Sequence, residues 1–310
     1  MHSAGSSCLG NSEYVDVSWA NLMKYCLNCS RAFESLNWNC PRCGFHPWKE
    51  GNLPLFAPEL AHNNSGFRAS SFKLLAALEE NYFWFRARNK LILWALGKYG
   101  ASVSSFMEIG CGTGFVLRGI AHHFPNIRLI GSEIYPEGIT FAAERIVNCE
   151  FIQMDARKMP FISEFDAVGA FDLIEHVKED ETVLRQIHQA LKPDGLLILT
   201  VPQHRWLWSP VDANACHVRR YAVRELNDKI ACAGFTIVRS TSFITSLLPL
   251  MLISRIFKRG KSARYNLNTE FKINSILNRL LEGFLSLEIG LIRIGVSFPV
   301  GGSRLLVAKK

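Results

Sequence analysis

The sequence concentrates glycine at one point where a ligand could approach the backbone. The apolar stretch 106–109 predicts a strand, and it leads into three glycines at alternate positions, Gly110, Gly112 and Gly114. An amphipathic stretch, 116–124, follows. Glycine lets the backbone come close to a ligand without Cβ clashes, and the start of the following helix offers free N–H groups. A turn of this kind taken alone is shared with dinucleotide-binding sites.

Acidic residues follow the next predicted strands in a regular order. Glu133 closes the second strand, about twenty residues after the glycine turn, where a carboxylate can accept hydrogen bonds from both hydroxyls of a ribose. Asp155, followed by Ala156, ends the third strand, where it could accept a bond from an adenine amino group. Asp172 ends the fourth. Because the carboxyl ends of parallel strands share one edge of a sheet, we expect these groups near the glycine turn.

In the order and spacing of these motifs, over about residues 104–243, the chain resembles the class I S-adenosylmethionine-dependent methyltransferases, of the bacterial type with methyltransferase domains 11 and 23. The resemblance implies a Rossmann-like α/β fold whose seven-stranded sheet has the order 3-2-1-4-5-7-6, with the last strand antiparallel. It also implies that Asp172 lies beside the reacting sulfonium. The residues that it assigns to the cofactor S-adenosyl-L-methionine are Glu108, Gly110, Cys111, Gly112, Gly114, Glu133, Ile134, Asp155, Ala156 and Asp172. The alternative is a purely structural turn with carboxylates that cap surface groups.

The fourth strand leads into an acid, a glutamate and a histidine that could carry the chemistry: Asp172, Glu175 and His176. Methyl transfer is an in-line displacement, so the enzyme mainly aligns the acceptor and, for a hydroxyl, removes or stabilises its proton. These three are therefore the candidate catalytic residues, with His176 as a general base, and O-methylation is the expected reaction. In the simplest alternative, Glu175 and His176 only cap the following helix.

The same pattern, continued by a later histidine, resembles the metal site of ubiquinone-pathway O-methyltransferases and of small-RNA 2′-O-methyltransferases. That resemblance implies a divalent cation that polarises the acceptor hydroxyl, held by Glu175, His176 and His217, with Asp172 as a further candidate. Oxygen and imidazole donors suit borderline metals. Asp172 departs from the pattern, because those families have Glu there. Cation binding and general-base catalysis remain alternatives.

Two basic clusters accompany these motifs. Arg219 and Arg220 could bind a phosphate or carboxylate of the acceptor through bidentate contacts, or could lie at the start of a solvated helix. The aromatic and basic run 83–89 is similar to one in a group of bacterial methyltransferases. It could line the acceptor pocket as a lid, or it could pack as a helix with Arg86 and Arg88 as ion partners.

Four cysteines form two close pairs, Cys26-x-x-Cys29 and Cys40-x-x-Cys43. Each pair can form a tight turn, and four thiolates can close a tetrahedron around Zn²⁺. The pattern resembles a zinc ribbon. Because four protein ligands leave no open coordination position, we expect structural zinc at this site.

Changes of composition predict five parts of the chain. They are a zinc-ribbon module at 1–60, a helical lead-in or lid at 61–103, the cofactor-binding core at 104–243, an apolar and basic helical insertion at 244–300, and the final strand at 301–310. The insertion contains the nearly uncharged stretch 243–257, then Lys258, Arg259, Lys261 and Arg264, and the amphipathic stretch 276–296. These stretches are too short to span a bilayer, but they could lie in its interface; the alternative is a cap over the pocket.

The totals set broad limits. With 310 residues, 48% of them hydrophobic, the chain can fill a sizeable core. A net charge of +8 favours acidic partners such as nucleic acid, anionic lipid or a phosphorylated substrate. Nine cysteines without a disulfide-like spacing, and an amino end without secretory features, predict a cytoplasmic protein. Peripheral membrane association is the alternative location.

Together the observations favour an S-adenosylmethionine-dependent methyltransferase that O-methylates a small-molecule or lipid-linked acceptor. The alternative is an RNA methyltransferase, which the zinc ribbon and the charge support but which lacks a recognised RNA-binding module. A further alternative is a non-catalytic, zinc-stabilised protein that keeps the cofactor fold; the acids Glu108, Glu133, Asp155 and Asp172 argue against it. The sequence carries no signal for the oligomeric state.

Overall fold

The computed structural model describes residues 22–35, 37–61, 70–258 and 273–310. Arg259, Lys261 and Arg264 of the basic run lie outside this range, as does the side chain of Lys258. The described strands are β1 (Met23–Tyr25), β2 (Ala32–Glu34), β3 (Trp48–Glu50), β4 (Leu53–Leu55), β5 (Ser105–Ile109), β6 (Arg128–Glu133), β7 (Glu150–Gln153), β8 (Phe165–Phe171), β9 (Leu191–Pro202), β10 (Thr236–Phe243) and β11 (Ser303–Lys309).

Nine of these strands form one sheet, in the order β10-β11-β9-β8-β5-β6-β7-β4-β3. Strands β5 to β9 pair in parallel. Strand β11 is inserted between β9 and β10 and runs antiparallel to both. From β7 to β10 this is the predicted order 3-2-1-4-5-7-6 with a reversed last strand, so the Rossmann-like α/β fold is confirmed.

The described helices are α1 (Pro58–Ala61), α2 (Ser70–Leu78), α3 (Phe83–Tyr99), α4 (Phe115–His123), α5 (Pro136–Arg145), α6 (Asp180–Ala190), α7 (Pro210–Asn214), α8 (Val223–Cys232), α9 (Leu248–Lys258) and α10 (Ser275–Arg293). Two 3₁₀ turns span Ile174–His176 and Arg205–Leu207. Helices α9 and α10 occupy the insertion before β11, and α10 packs against α3. Within the described ranges, no helix is sufficiently long and apolar to pass through a membrane.

Helices cover both faces of the sheet, so its central strands are buried on both sides. All five residues of β5 are buried. Met107 and Leu199 belong to one apolar cluster, whereas their chain neighbours Phe106 and Ile198 belong to another. The alternation of side chains along a strand therefore divides the core into two layers, one on each face.

The sheet is two strands wider than the resemblance implies. Strands β3 and β4 form a hairpin, and β4 pairs with β7 in parallel through Leu55 and Gln153. The Gln153 side chain also donates to the Ala57 carbonyl at 2.7 Å and accepts from the Ala57 N–H at 3.0 Å. Both strands have three residues and one contains Pro54, so alternation gives no signal for them. Residues 48–55 thus extend the sheet from within the range predicted as the zinc-ribbon module.

The β1–β2 hairpin, which carries the first cysteines, lies against the loop before β8. The Tyr25 N–H donates to the Pro160 carbonyl at 2.9 Å, and Trp38 packs edge-on against Phe161 with ring centroids 5.5 Å apart. Lys24 is buried beside them, and burial lowers its pKa to about 8. These contacts attach the hairpin to the edge of the core.

Candidate active site and cysteine cluster

The turn after β5 holds its three glycines in the left-handed region. The angle φ is +68° at Gly110, +53° at Gly112 and +75° at Gly114. A Cβ at Gly110 would meet Leu173 at 2.7 Å, and one at Gly114 would meet α5 at 2.8 Å, so packing alone requires glycine there. The nearest described atom to a Cβ at Gly112 is in Phe72, at 3.9 Å. Gly112 therefore borders the space in which a ligand can approach this backbone.

Two buried carboxyl groups accompany the turn. Glu133 accepts hydrogen bonds from the backbone N–H groups of Gly112 (3.1 Å), Ile134 (2.7 Å) and Tyr135 (3.2 Å). The Oε2 atom of Glu108 is buried without a hydrogen-bond partner among the described residues. Burial raises the pKa of Glu133, and raises that of Glu108 well above its usual range. A ligand with hydrogen-bonding groups would satisfy a carboxyl that is otherwise costly to bury.

Asp155, which the resemblance assigns to the adenine, is held in an ion pair. Its two oxygens accept from Arg157 Nε, each at 3.0 Å, and Arg157 Nη2 lies 2.8 Å from Oδ2. A carboxylate offers about four lone-pair sites, so Arg157 reduces the capacity that remains for an amino group. Its neighbour Ala156 is buried. Cys111 is also buried, and its N–H donates to the Ser132 carbonyl at 2.9 Å.

Helix α2 is tied to the glycine turn by contacts that sequence reasoning missed. Thr113 Oγ1 and Arg145 Nη1 both donate to Glu79 Oε2, at 2.5 and 2.7 Å. Glu79 directly follows α2, and Arg145 Nη2 also donates to the Ala76 carbonyl within the helix, at 2.8 Å. Phe72 of α2 is buried against the turn. Glu79 and Arg145 lie 66 residues apart in the chain, so no local pattern indicates their pairing. The helix thus covers the turn as part of its surroundings.

Asp172 ends β8 with φ at +54°, a conformation that aspartate tolerates better than most residues do. Its carboxylate forms an ion pair with Arg88 of α3, whose guanidinium lies 4.7 Å from the centroid of the Trp84 ring. Arg86 pairs instead with Glu282 of α10, at 3.2 Å. The aromatic and basic run therefore forms the first turns of α3, with its arginines as ion partners.

The structure brings Glu175, His176 and His217 together. Their ligand atoms lie within 4.8 Å of one another, and the two imidazole rings meet edge to face. Glu175 is fully buried, and neither of its carboxyl oxygens has a hydrogen-bond partner among the described residues. Asp172 is not in this group, and its carboxylate is paired with Arg88.

Burial sets the charges of this group. Burial, followed by the charge of Asp172, raises the pKa of Glu175 well above its usual range. Burial, followed by the neighbouring His217, lowers the pKa of His176 to about 4. Burial thus favours the uncharged forms of the carboxyl of Glu175 and of the imidazole of His176. These are the forms from which a divalent cation displaces a proton and gains nitrogen and oxygen ligands.

A buried acid that was not among the predicted site residues orients His217. Asp212 Oδ1 lies 3.0 Å from His217 Nδ1 and accepts from Arg220 Nε at 2.6 Å. Burial alone would raise the pKa of Asp212, but His217 and Arg220 lower it to about 2. Because Nδ1 of His217 contacts Asp212, Nε2 is the ring nitrogen that remains to bind a cation. Arg219 Nη1 pairs with Asp180 at 2.6 Å, so both arginines of this run are engaged by acids.

The four paired cysteines form one cluster, with all sulfur atoms within 4.8 Å of one another. The Sγ atoms of Cys26 and Cys43 are 3.5 Å apart, and those of Cys29 and Cys40 are 3.6 Å apart. A tetrahedral zinc site with Zn–S bonds of about 2.3 Å has S–S edges of roughly 3.8 Å, whereas a disulfide bond is about 2.05 Å long. The backbone N–H of Cys29 also donates to Cys26 Sγ at 3.4 Å. The spacing therefore fits a tetrathiolate zinc site.

Comparison with known proteins gives matches that centre on the same core. Residues 106–195 match the family model described as a methyltransferase domain. Over 100 residues the chain is 31% identical to a sterol 4-C-methyltransferase of Caenorhabditis elegans, covering 30% of this chain and 29% of that protein. Over 111 residues it is 26% identical to a ubiquinone biosynthesis O-methyltransferase of Pseudomonas aeruginosa, covering 34% of this chain and 48% of that protein. The chain thus spans less than half of the length of these curated relatives.

A solved structure supports the fold. The protein from Galdieria sulphuraria, provisionally described as a sarcosine dimethylglycine methyltransferase, superposes with a TM-score of 0.50 at 14% identity, covering 72% of this chain and 85% of that one. At this identity the likeness concerns the fold alone. The family match and the named relatives identify the central domain as a class I S-adenosylmethionine-dependent methyltransferase domain, and the strand order agrees with this class. The resemblance stated from the sequence is confirmed for this domain.

Proposed function

We propose that the chain transfers the methyl group of S-adenosylmethionine to an oxygen atom of a small-molecule or lipid-linked acceptor. The observation that carries the donor site is Gly112, whose N–H donates to the buried carboxyl of Glu133 and whose missing Cβ leaves free space among the described residues; the buried, unpartnered carboxyl of Glu108 lies in the strand that leads to this turn. S-adenosylmethionine carries ammonium, hydroxyl and amino groups, all of which can donate to carboxylates. The family match over the same residues supports this donor.

The proposed donor contacts are divided among the ends of four strands. The glycine turn and Glu108 would hold the methionine end of the molecule, and Glu133 with Ile134 would hold the ribose. The side chain of Glu133 is held in place by the hydrogen bonds that it accepts from three backbone N–H groups. Asp155, with Ala156, would border the adenine beside Arg157. Asp172 would lie next to the sulfonium.

Oxygen is the proposed acceptor atom because of the acidic and imidazole groups after β8. The relatives are named for methylation at carbon in one case and at oxygen in the other, so the proposal rests on the site. We propose that Glu175, His176 and His217 hold a divalent cation, which would polarise an acceptor hydroxyl when bound. The unpartnered carboxyl of Glu175 favours this role over that of His176 as a general base alone.

The donor site is tested by calorimetry on the folded, zinc-loaded chain. We expect binding of S-adenosylmethionine and of S-adenosylhomocysteine, and the absence of heat from both would refute the proposed function. An acceptor screen with labelled donor then separates the substrate classes. Products methylated only at nitrogen or carbon would reject O-methylation, and label in RNA would favour the alternative RNA methyltransferase.

The cation site is tested with Mn²⁺ alone, because this hard ion binds poorly to thiolates and so reports little from the cysteine cluster. We expect Glu175→Gln to abolish tight Mn²⁺ binding as followed by electron paramagnetic resonance. Glu144→Gln changes an exposed acid of α5 and should bind as the parent chain does. Unchanged Mn²⁺ binding in Glu175→Gln would reject the cation and leave His176 as the base.

We also propose that the cysteine cluster holds one structural zinc ion. Metal analysis of the purified chain should give one zinc per chain, and Cys43→Ser should lower the zinc content and the thermal midpoint. Cys232→Ser is the matched control, because Cys232 is an exposed free cysteine outside the cluster. Equal zinc content in the two variants would reject the site.

A further inference from the structure

Helix α10 has an apolar face that no described part of the chain covers. We name as the apolar stripe the exposed residues Leu277, Leu280, Phe284, Leu287 and Leu291 of this helix, together with Ile294 directly after its end. Their spacing of 3, 4, 3, 4 and 3 residues places them on one side of the helix. Leu287 is 71% exposed and Ile294 is 79% exposed. The buried side of α10, which packs on α3 and β10, is a different sector of the helix.

The charges of α10 are separated between these sectors. Arg279 and Arg293 are exposed and, although about four turns apart, lie on the same side of the helix outside the apolar stripe. The two acids point inward: Glu282 accepts from Lys90 at 2.7 Å, and Glu288 accepts from two backbone N–H groups at the start of the insertion. Within residues 275–293 the solvent side of the helix is therefore apolar and basic, with no exposed acid.

This charge pattern disfavours a second copy of the chain as the occupant. A heptad-like stripe can pair with itself when charges along its borders are complementary. The positions that border this stripe hold Gly283 and Gly290 on one side and the buried Glu288 on the other, so they offer no complementary charges for self-pairing. The exposed charges of α10 are Arg279 and Arg293, which lie outside these borders with no exposed acid on the helix beside them. A surface that is itself negatively charged and apolar underneath matches the pattern better.

We infer that α10 docks the protein on an anionic membrane leaflet, with the apolar stripe in the boundary between headgroups and acyl chains. Its 19 residues make a helix about 28 Å long, which can lie flat in that boundary. Arg279 and Arg293 reach anionic headgroups while their stems stay on the apolar surface. Leu250 and Ile253 of α9 add exposed apolar side chains to the same insertion. Vesicle binding requires no methyl donor, so the inference goes beyond methyl transfer.

Docking also bears on the acceptor, and this step rests on the proposed function. Glu282 of α10 pairs with Arg86 and Lys90, which stand on either side of Arg88 in α3. Arg88 in turn pairs with Asp172 at the end of β8. Ion pairs thus connect α10, the proposed membrane-docking helix, to α3, whose Arg88 contacts Asp172 at the proposed reaction centre. An acceptor anchored in the leaflet by an apolar tail is the substrate class that this arrangement fits.

The test is flotation of the full chain with vesicles of phosphatidylcholine, with and without phosphatidylglycerol. We expect binding to the anionic vesicles, and a loss of about tenfold or more in partitioning for Leu280→Gln combined with Leu287→Gln. Val147→Gln removes a similarly exposed apolar residue from the loop after α5 and should bind as the parent chain does. Arg279→Gln with Arg293→Gln should remove the preference for anionic vesicles. Unchanged circular dichroism shows that each variant is folded.

Three results would overturn the inference. They are a parent chain that stays unbound on anionic vesicles, a double leucine variant that binds as well as Val147→Gln, and a dimer in sedimentation velocity that this double variant abolishes while vesicle binding is absent. The same experiments distinguish a failure of membrane docking from a failure of the proposed function. A chain that binds S-adenosylmethionine but ignores vesicles refutes docking alone, and one that binds vesicles but not the donor refutes the donor site alone.

Discussion

Three glycines in one turn have different physical reasons for being glycine. Gly110 and Gly114 are required by the neighbours that a Cβ would strike, whether or not a ligand is present. Gly112 has a left-handed backbone but open space beside it. The sequence motif treats the three alike, whereas the structure places the argument for a ligand on Gly112.

This difference gives a prediction with a matched control. Gly112→Ala should cost about 1 kcal/mol of stability from its left-handed φ, and should weaken S-adenosylmethionine binding about tenfold or more because its Cβ fills the open space. Gly51→Ala has a similar φ of +58° and no atom within 4 Å, so it should lose stability without losing affinity. Calorimetry and urea unfolding measure the two effects. Equal loss of affinity in both variants would assign the effect to general strain.

At the residue scale the sequence indicates groups but not their partners. Glu175 and His176 could be named from their type and position, and His217 from the resemblance to cation-dependent methyltransferases. The role of Asp212 could not, because Ser209-Pro-Val-Asp212 indicates only a capped helix start, which α7 indeed has. The same carboxylate reaches His217 because the chain returns five residues later, and only the tertiary structure shows this return.

At the scale of elements, the strength of the local pattern decides what can be predicted. The seven strands from β5 to β11 have apolar stretches and follow turn signals, so their positions could be predicted from the sequence, and the family resemblance implied their order. Strands β3 and β4 exist because Gln153 bonds to the Ala57 backbone and β7 offers an open edge. A strand that forms only because of its neighbours shows no two-residue alternation of apolar and polar residues in the sequence.

A glutamate of strand β7 makes the free energy of unfolding depend on pH. Glu150 begins this strand, and burial raises its pKa to about 7, with Arg128 and Lys24 opposing the rise. Between about pH 4.5 and 7 the folded state keeps a proton that the unfolded chain has lost, so stability falls as pH rises through this window. Glu150→Gln should therefore stabilise the protein by up to about 3 kcal/mol near pH 8 and by much less near pH 5.

Urea unfolding of the parent chain and of Glu150→Gln at both pH values measures this difference. Glu144→Gln, on the exposed side of α5, should show no such pH dependence. A stabilisation of Glu150→Gln that is equal at the two pH values would contradict the pKa shift. Comparison at the same pH removes any effect of acid on the cysteine cluster, because both chains carry it.

At the scale of the whole molecule, α3 connects regions that lie far apart in the sequence. Arg88 pairs with Asp172 at the end of β8, and Arg86 and Lys90 pair with Glu282 of the insertion. Asn278 of α10 adds a bond to the Phe83 N–H at 2.9 Å. The insertion is therefore held on the core by polar contacts to α3, by bonds from Arg239 of β10 to the carbonyls at the end of α10, and by the apolar packing of Leu285, Ile289 and Ile292.

This arrangement predicts that the insertion opens before the sheet does. Glu282→Gln keeps the size of the side chain but removes the charge that Arg86 and Lys90 share, so α10 should lose about 1 kcal/mol of local stability. Hydrogen exchange should then be faster in α10 and unchanged in β5, β8 and β9, because locally opening units exchange independently of the global core. Glu137→Gln on α5 is an exposed control that should alter neither region. If exchange in the central strands accelerates as much as in α10, the insertion and the sheet unfold as one unit, and membrane docking could not rearrange α10 without unfolding the methyltransferase core.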